Sequence, residues 1–356
     1  MARKYAYDTS AAALLTPAEG AVFFEDWDRD VDTANHDLLC AEMSRLAYAK
    51  KSVVEVALQS IGFSSIAFAG ANSRGTQGFA AKNAAQGLTV LAFRGTESNR
   101  FEDVVSDVDA LQLDYRRGGR LCRVHGGFLK AYEQQPVQDL IAAVRRQGVG
   151  GLLVTGHSLG AALATLAAVD TTPARLVTFG SPRVGDEVFR ALFAGLEVRR
   201  FVDCCDVVSR VPPERFDAAH LARFLEELGA PGSPLIGRAL GWLKLNAEFA
   251  HVSTACYINR HGLVMEAPGD AQQAADQQIA REEHPHTPRN SRAELVALLN
   301  SLLTSSAGLP SVRDLQQVTR KLIRGLFNLV RGDPVPLRDL ADHAPINYVS
   351  GITGRG

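Results

Sequence analysis

One serine lies in a local setting that is typical of a catalytic nucleophile. The pentapeptide Gly-His-Ser-Leu-Gly at 156–160 follows the apolar run 151–155 and precedes an alanine-rich segment, 161–170. Between a buried strand and a helix, a Gly-x-Ser-x-Gly turn exposes the serine hydroxyl at the helix N-terminus. There the helix dipole and the backbone N–H of Leu159 favour a developing oxyanion. The pattern therefore predicts that Ser158 is a nucleophile.

Such a serine needs a base, and the base needs an acid that orients it. In folds that carry the nucleophile on such a strand–helix turn, the acid is expected after the second strand beyond the nucleophile strand. The histidine is expected later still in the chain. The predicted strand at 198–202 is that second strand, and both Asp203 and Asp206 follow it. Position alone does not decide which of these two aspartates is the acid. Asp186 lies just before a predicted helix at 187–193, so we interpret it as a helix N-cap.

The base is expected among the histidines beyond the last predicted strand. His251 precedes a predicted closing hairpin at 256–265, which argues against it. The remaining candidates are His261, His284, His286 and His343. Of these, His343 is followed by an apolar segment, 344–349, that can dock it against the core, and spacing favours it without excluding the others. The His-Pro-His spacing at 284–286 is a weak metal-binding pattern, and we predict no metal site.

The elements that must position these residues alternate along the chain. Strands are predicted at 65–69, 78–81, 88–93, 151–155, 175–180 and 198–202, and helices at 35–50, 128–147, 161–170 and 187–193. This alternation predicts βαβ units and a mostly parallel sheet. The helical segments at about 214–248 and 267–335 do not fit a minimal sheet and are interpreted as insertions in one domain.

Composition limits the class of protein. Of 356 residues, 46% are hydrophobic and 22% charged, which is typical of a soluble globular chain and excludes a disordered tail or a coiled-coil rod. The net charge of −1 does not predict a nucleic-acid partner. Since we find no conventional signal peptide and five cysteines without framework spacing, we expect buried free thiols and a cytoplasmic location. The uncharged stretch 151–169 is better explained by a strand, a turn and a helix than by a transmembrane segment.

Five motifs occur in an order that is typical of one family. They are Phe-Arg-Gly-Thr-Glu at 93–97, Val-His-Gly-Gly-Phe at 124–128, Gly-His-Ser-Leu-Gly at 156–160, Thr-Phe-Gly-Ser-Pro-Arg-Val-Gly-Asp at 178–186 and Asp-Val-Val-Ser-Arg-Val-Pro-Pro at 206–213. Together they resemble the lipase class 3 family, whose best-known members are filamentous-fungal triacylglycerol lipases. The resemblance covers roughly 35–265 and resumes at His343. It implies an α/β-hydrolase fold: a mostly parallel central sheet, flanked by helices and carrying helical insertions.

The resemblance also implies a role for individual residues. It assigns Ser158 as nucleophile, Asp206 rather than Asp203 as acid, and His343 as base, while His251 is similar to an earlier family histidine that is not the base. The implied oxyanion hole combines Thr96 with the backbone N–H of Leu159. A rival oxyanion loop is His-Gly-Gly at 125–127, but it lies one strand–helix unit later in the chain than the loop that is expected to carry an oxyanion donor. Its glycines are therefore interpreted as the sign of a close approach between a helix and a strand.

Residues 98–106 occupy the position of the lid helix in these lipases. Only Phe101, Val104 and Val105 are apolar there, and this departure favours an esterase on dispersed or short-to-medium acyl substrates over strong interfacial activation. A solvated helix that never moves is the alternative. The insertion at 214–248 is either a second lid or a packed decoration. A basic amphipathic pattern at 315–330 either contacts anionic lipid transiently or packs one face in the core.

These observations together predict a serine carboxylic-ester hydrolase, a lipase or esterase, that works through an acyl-enzyme and uses no cofactor. Its partner is an ester or lipid substrate. Two alternatives stay open: a phospholipase A1 or acyltransferase on the same three residues, and a lipid-binding protein that has kept the fold without catalysis.

Overall fold

The computed structural model describes residues 5–70, 77–95, 112–148, 150–212, 214–216, 247–284 and 338–354. In these ranges the helices are α1 (Ala11–Leu15), α2 (Val31–Ala34), α3 (His36–Leu46), α4 (Lys51–Ser60), α5 (Gly126–Tyr132), α6 (Gln135–Gln147), α7 (Leu159–Thr171), α8 (Glu187–Arg190), α9 (Asp270–Glu283), α10 (Arg338–Ala341) and α11 (Pro345–Thr353). The strands are β1 (Ser64–Ala69), β2 (Gly78–Asn83), β3 (Leu88–Phe93), β4 (Gln112–Arg117), β5 (Arg120–His125), β6 (Leu152–His157), β7 (Arg175–Phe179), β8 (Glu197–Asp203), β9 (Arg215–Phe216), β10 (Ala247–Glu248), β11 (Ala255–Ile258) and β12 (Val264–Glu266).

The central sheet is mostly parallel, as predicted. Within the described ranges it has eight strands in the order β1-β2-β3-β6-β7-β8-β11-β12. The run from β3 to β11 is parallel, whereas β1 and β2 at one edge and β12 at the other are antiparallel to their neighbours. Every residue of β3 and β6 is buried. Strands buried on both faces read as continuous apolar runs, and helices cover both faces of this α/β-hydrolase sheet.

Alternate side chains of the inner strands point into two separate cores. Val90 of β3 packs in the cluster that contains α3, α4 and α11 residues, whereas its neighbour Leu91 packs with α5, α6 and α7. The same alternation separates Leu153 from Val154 in β6. Because side chains alternate along a strand, the two clusters lie on opposite faces of the sheet. They hold β6 rigidly between them.

Several elements differ from the sequence prediction, among them one helix and one hairpin near the middle of the chain. The helix predicted over 128–147 is two helices, α5 and α6, and the second begins with Pro136 in its first turn, where a missing N–H costs no hydrogen bond. The hairpin of β4 and β5 was not predicted. Its strands are mostly exposed and rich in arginine, so they carry no apolar run that would mark them.

The two ends of the described chain are bonded to each other. The Asp8 backbone N–H donates to Oδ1 of Asn347 at 2.8 Å, and Nδ2 of Asn347 donates back to the Asp8 carbonyl oxygen at 2.8 Å. The Tyr7 hydroxyl donates to Oδ1 of Asp342 at 2.6 Å. Residues 5–10 therefore brace the segment that carries His343.

Several predictions fall wholly or partly outside the described residues. Thr96, the lid segment 98–106, His286 and the basic pattern at 315–330 are among them, as are 217–246 of the first insertion and 285–335 of the second. The ends of the first insertion meet where β9 pairs with β10. The five cysteines are free and buried, as predicted. Of the helices in the described part of the chain, none has the length and hydropathy needed to cross a membrane.

Candidate active site

A sharp turn between β6 and α7 carries Ser158. The serine has φ 58° and ψ −127°, a strained conformation for a residue with a side chain. A Cβ atom at Gly156 would lie 2.2 Å from the Gly160 carbonyl oxygen, and one at Gly160 would lie 2.2 Å from the Phe93 carbonyl oxygen. Both glycines are therefore required by close backbone approach. The Ser158 N–H donates to the Phe179 carbonyl oxygen at 3.0 Å, which helps to hold the turn.

The Ser158 side chain is buried, with 1% of its surface exposed. Its Oγ has no hydrogen-bond partner among the described residues. Ser158 is the N-cap of α7, and the first N–H groups of a helix, beginning with that of Leu159, have no intrahelical acceptor. The turn therefore combines an unengaged hydroxyl with backbone donors and the positive end of a helix dipole.

His343 and Asp206 form a buried pair. His343 Nδ1 lies 2.8 Å from Oδ2 of Asp206, and their side chains are 5% and 0% exposed. A carboxylate only accepts, so His343 donates from Nδ1, which leaves Nε2 as the ring nitrogen able to take a proton. The Val208 N–H donates to the other carboxylate oxygen of Asp206 at 2.8 Å. These contacts set the orientation of both the carboxylate and the imidazole.

Tyr348 completes the surroundings of Asp206, and sequence reasoning missed it. Its hydroxyl donates to Oδ2 of Asp206 and accepts from the Asp203 N–H at 3.2 Å. Burial, together with the charges of Asp206 and Asp203, raises the pKa of Tyr348 well above its usual value. The hydroxyl therefore stays protonated and acts as a permanent donor. The only signal was its place in the apolar segment after His343.

His157, the residue before Ser158, contacts His343 and helps to position it. Its Nε2 lies 2.8 Å from the His343 carbonyl oxygen and its Nδ1 lies 2.8 Å from the Tyr48 hydroxyl. Since a carbonyl only accepts, Nε2 carries the hydrogen and Nδ1 accepts from Tyr48. Burial, and next the proximity of His343, hold the pKa of His157 well below its usual value. His157 is therefore neutral and rigidly placed.

Gly180, after β7, makes room for the acid and the base together. It has φ +56°, and a Cβ atom there would lie 2.6 Å from Oδ2 of Asp206 and 3.0 Å from Nδ1 of His343. A side chain at this position would meet both partners of the hydrogen bond. The Thr-Phe-Gly-Ser-Pro segment therefore needs glycine at this position for a direct steric reason.

The other candidates occupy different places. By position in the sequence Asp203 was also a candidate for the acid, but Asp206 is the residue that contacts His343. Asp186 caps α8 by accepting from the Phe189 N–H at 2.8 Å, as predicted. His251 donates from Nε2 to the Ser209 carbonyl oxygen at 2.8 Å. His261 is exposed in its turn and His284 is buried after α9.

The rival oxyanion loop at 125–127 has a structural role. The imidazole of His125 caps α5, with Nδ1 accepting from the N–H groups of Gly127 at 3.2 Å and Phe128 at 3.4 Å. A Cβ atom on Gly127 would lie 3.1 Å from Cε1 of His125. Glycine at 127 therefore leaves space for the capping ring.

One group of donors resembles a metal-binding cluster. Ligand atoms of Cys204, Cys205 and Asp342 lie within 4.8 Å of one another. The Asp342 carboxylate already accepts from the Cys205 N–H at 2.9 Å and from Nε of Arg338 at 3.2 Å, besides the bond from Tyr7. The hydrogen bond between the two thiols, together with burial, raises the pKa of Cys205. A neutral thiol and a carboxylate paired with arginine make this cluster a poor metal site.

Comparison with known proteins adds to this geometry. The profile described as Lipase (class 3) matches residues 90–216. Over these residues the chain is similar to the class 3 lipases. The predicted resemblance is therefore confirmed. The matched class 3 segment includes Ser158 and Asp206 and ends before His343, so His343 joins the site through its contact with Asp206.

Individual class 3 relatives match only part of the chain. A lipase of Rhizopus niveus is 35% identical over 162 residues, which are 41% of this chain and 40% of that protein. Phospholipase A1-II 4 of Oryza sativa subsp. japonica is 31% identical over 234 residues, 56% of this chain and 58% of that protein. Among solved structures, lipase II from Rhizopus niveus is 27% identical, covers 55% of this chain and 77% of that one, and has a TM-score of 0.41. The chain thus spans about two fifths of the length of the first of these relatives.

Proposed function

We propose that this chain is a serine carboxylic-ester hydrolase of the lipase or esterase type, with Ser158 as nucleophile, His343 as base and Asp206 as acid. The observation that carries the proposal is the buried 2.8 Å hydrogen bond between His343 and Asp206, in a chain whose Ser158 lies on a strand–helix turn. Nucleophile, base and orienting acid are the three parts that acyl transfer by serine requires.

In the proposed reaction the Ser158 hydroxyl attacks the ester carbonyl while Nε2 of His343 takes its proton. The imidazolium is stabilised by Asp206 and then protonates the leaving alcohol. Water, activated by the same imidazole, attacks the acyl-enzyme and releases the carboxylic acid and the serine. Since Ser158 is 1% exposed, the attack takes place at a buried hydroxyl. No step needs a metal or an organic cofactor.

The oxyanion of the tetrahedral intermediate is proposed to bind the N–H of Leu159 at the start of α7. Thr96, which lies outside the described residues, is proposed as the second donor on the basis of its position after Arg-Gly. Gly95, its neighbour, is buried and donates its backbone N–H to Tyr48, so the chain entering Thr96 is tied to the residue that holds His157. Loss of one oxyanion donor costs about 3 kcal/mol of transition-state stabilisation.

The first test is hydrolysis of p-nitrophenyl butyrate and palmitate by the wild type and Ser158→Ala. Loss of a triad nucleophile lowers kcat by roughly a million-fold. Ser350→Ala is the matched control, since Ser350 is also buried and its Oγ also lacks a partner among the described residues. We expect the control to retain activity and the Ser158 variant to lose both activity and labelling by a fluorophosphonate. Wild-type protein that neither hydrolyses the esters nor labels would favour the lipid-binding alternative.

A phospholipase A1 is the second candidate, because phospholipases A1 of Oryza sativa and Arabidopsis thaliana are among the similar proteins. Rates on phosphatidylcholine vesicles and on a triglyceride emulsion distinguish it from a triacylglycerol lipase. Faster hydrolysis of p-nitrophenyl butyrate than of palmitate would support the esterase preference inferred from the sparse apolar content of 98–106. The cytoplasmic location and the single domain stay predictions.

A further inference from the structure

A cavity of about 370 Å³ lies beside the loop that carries Asp206, and the proposed reaction does not use it. Its wall includes Arg183, Arg200, Ser209, Arg210 and His251. None of Ser158, Asp206 and His343 lines it. The residues come from β8, from the loops after β7 and β8, and from the segment that enters β11. Tertiary folding thus gathers basic groups that are far apart in the sequence.

Arg200 is the least exposed of these basic groups. It lies on β8 with 7% of its surface exposed, and its Nε donates to the Ser253 carbonyl oxygen at 3.1 Å. No carboxylate among the described residues forms an ion pair with Arg200. Burial, and next the charge of Arg183, lower the pKa of Arg200 to about 10, so it is still charged at neutral pH. A buried charge without a counterion is costly, and an anion in the cavity would offset that cost.

Arg183 adds a second cation whose partner is mostly in solvent. Its Nη1 donates to the carbonyl oxygens of Arg210 at 2.7 Å and Pro212 at 2.9 Å, and its Nη2 pairs with Glu214 at 3.2 Å. The Glu214 side chain is 74% exposed, so its charge is screened by water. Nε of Arg183 is buried without an acceptor in the described part of the chain.

The remaining titratable groups on the wall do not cancel this charge. Burial, and next the charges of Arg200 and Arg183, hold the pKa of His251 well below its usual value, so it is neutral. Asp270, at the start of α9, is exposed at the rim. The acidic groups that line the cavity are therefore solvated, whereas Arg200 is buried and the Arg183 side chain is only 13% exposed. In the low dielectric of the interior the buried charges dominate the potential.

We propose that this cavity is an anion-binding site for a doubly charged phosphate group, either free or carried by a monoester. Guanidinium groups match phosphate oxygens with planar, paired donors, and two arginines suit a doubly charged anion better than a carboxylate. The volume of about 370 Å³ lies in the range of small-molecule sites and leaves room for an organic group attached to the phosphate. The group would come either from a lipid headgroup or from a free phosphate. This site does not depend on the proposed ester hydrolysis.

The test is thermal unfolding of the full chain in millimolar inorganic phosphate, glycerol 3-phosphate or dihexanoyl phosphatidic acid, each against chloride at equal ionic strength. The wild-type Tm is expected to rise by about 2–4 °C. Arg200→Met is expected to have an equal or higher Tm in chloride, since a buried unpaired charge is gone, and no response to phosphate. Arg120→Met, which alters an exposed arginine on β5, is the matched control and should respond like the wild type.

Arg200→Lys keeps the charge and tests the site if the methionine variant fails to fold. Calorimetry should show at least a tenfold weaker affinity, because lysine cannot form paired bonds with phosphate. A larger response to the two esters would indicate a headgroup, and a larger response to inorganic phosphate would indicate the free anion. Equal responses in all variants would reveal a general salt effect and overturn the proposal, as would a wild type that responds to none of the three.

Discussion

The carbonyl oxygen of His343 accepts a hydrogen bond from Nε2 of His157 at 2.8 Å, and the two imidazole rings are tilted by 35° with their centres 4.5 Å apart. The residue before the nucleophile thus fixes the backbone of the proposed base. The Tyr48 hydroxyl donates to the other ring nitrogen of His157, Nδ1, and so connects this contact to the segment that follows α3. The backbone of His343 is therefore held by a buried, neutral imidazole.

His157→Leu should lower kcat by about 10–100-fold with little change in KM. The substitution leaves the His343 carbonyl as a buried acceptor without a donor, which costs about 1–3 kcal/mol, and it loosens the base rather than the substrate. His157→Gln keeps a donor and should recover much of the rate. Steady-state kinetics on p-nitrophenyl butyrate measure both. A change confined to KM would contradict the positioning role.

The free energy of unfolding should fall as the pH drops below about 6.5. His157 and His251 both have pKa values held well below that of an unfolded histidine, first by burial and then by the proximity of His343 for His157 and the charges of Arg200 and Arg183 for His251. The unfolded chain therefore takes up protons that the native state does not, at about 1.4 kcal/mol per pH unit for each group. Urea unfolding at pH 7.5, 6.0 and 5.0 measures the slope. His251→Gln should reduce it by one group's share, and an unchanged slope would contradict the assignment.

Gly180→Ala should lower kcat/KM by at least about 100-fold. Its Cβ atom would displace Asp206 and His343, and a misplacement on the order of 1 Å costs about that factor. Gly195→Ala is the matched control, since Gly195 also has a positive φ, +87°, and has nothing within 4 Å of its Cβ position. Both variants should lose about 1–2 kcal/mol of stability from the backbone strain. Equal activity in the two would show that the steric contact is unimportant.

Tyr348→Phe should lower kcat about tenfold and destabilise the fold by about 1–3 kcal/mol, because Asp206 loses a donor and the Asp203 N–H loses its acceptor. Tyr132→Phe removes a comparable bond, from the Tyr132 hydroxyl to Asp170 at 2.6 Å, on α5 away from Asp206. It should lose stability and keep kcat. Urea unfolding and steady-state kinetics on both variants separate the two effects. The role given to Tyr348 would be wrong if kcat were unchanged.

The sequence pattern was most informative where a feature is encoded within a few residues. The turn at Ser158 depends on backbone crowding at Gly156 and Gly160, so five consecutive residues were enough to predict it. Strands β3, β6 and β7 in the central sheet were found because each is a mostly apolar run between turn residues. The hairpin of β4 and β5 was missed because exposed strands rich in arginine carry no such run.

Contacts across the fold needed more than local pattern. Topology placed the acid after β8 and left Asp203 and Asp206 open, while the motif order pointed to Asp206. The structure brings Asp206 to His343 across 137 positions of the chain. The sequence assigned no role to Tyr48 or Tyr348, because a buried tyrosine hydroxyl becomes informative only when its partner is known.

The sequence by itself determined the strand order along the chain, the strained turn at Ser158 and the resemblance to the class 3 lipases, because each depends on short-range backbone chemistry or on ordered motifs. Only the tertiary structure decided which side chains meet: His157 with His343, Tyr348 with Asp206, and Arg183 with Arg200 around a cavity. These pairings join elements that are distant in the chain. Their geometry is set by how the helices pack on the sheet, and no local pattern specifies that packing.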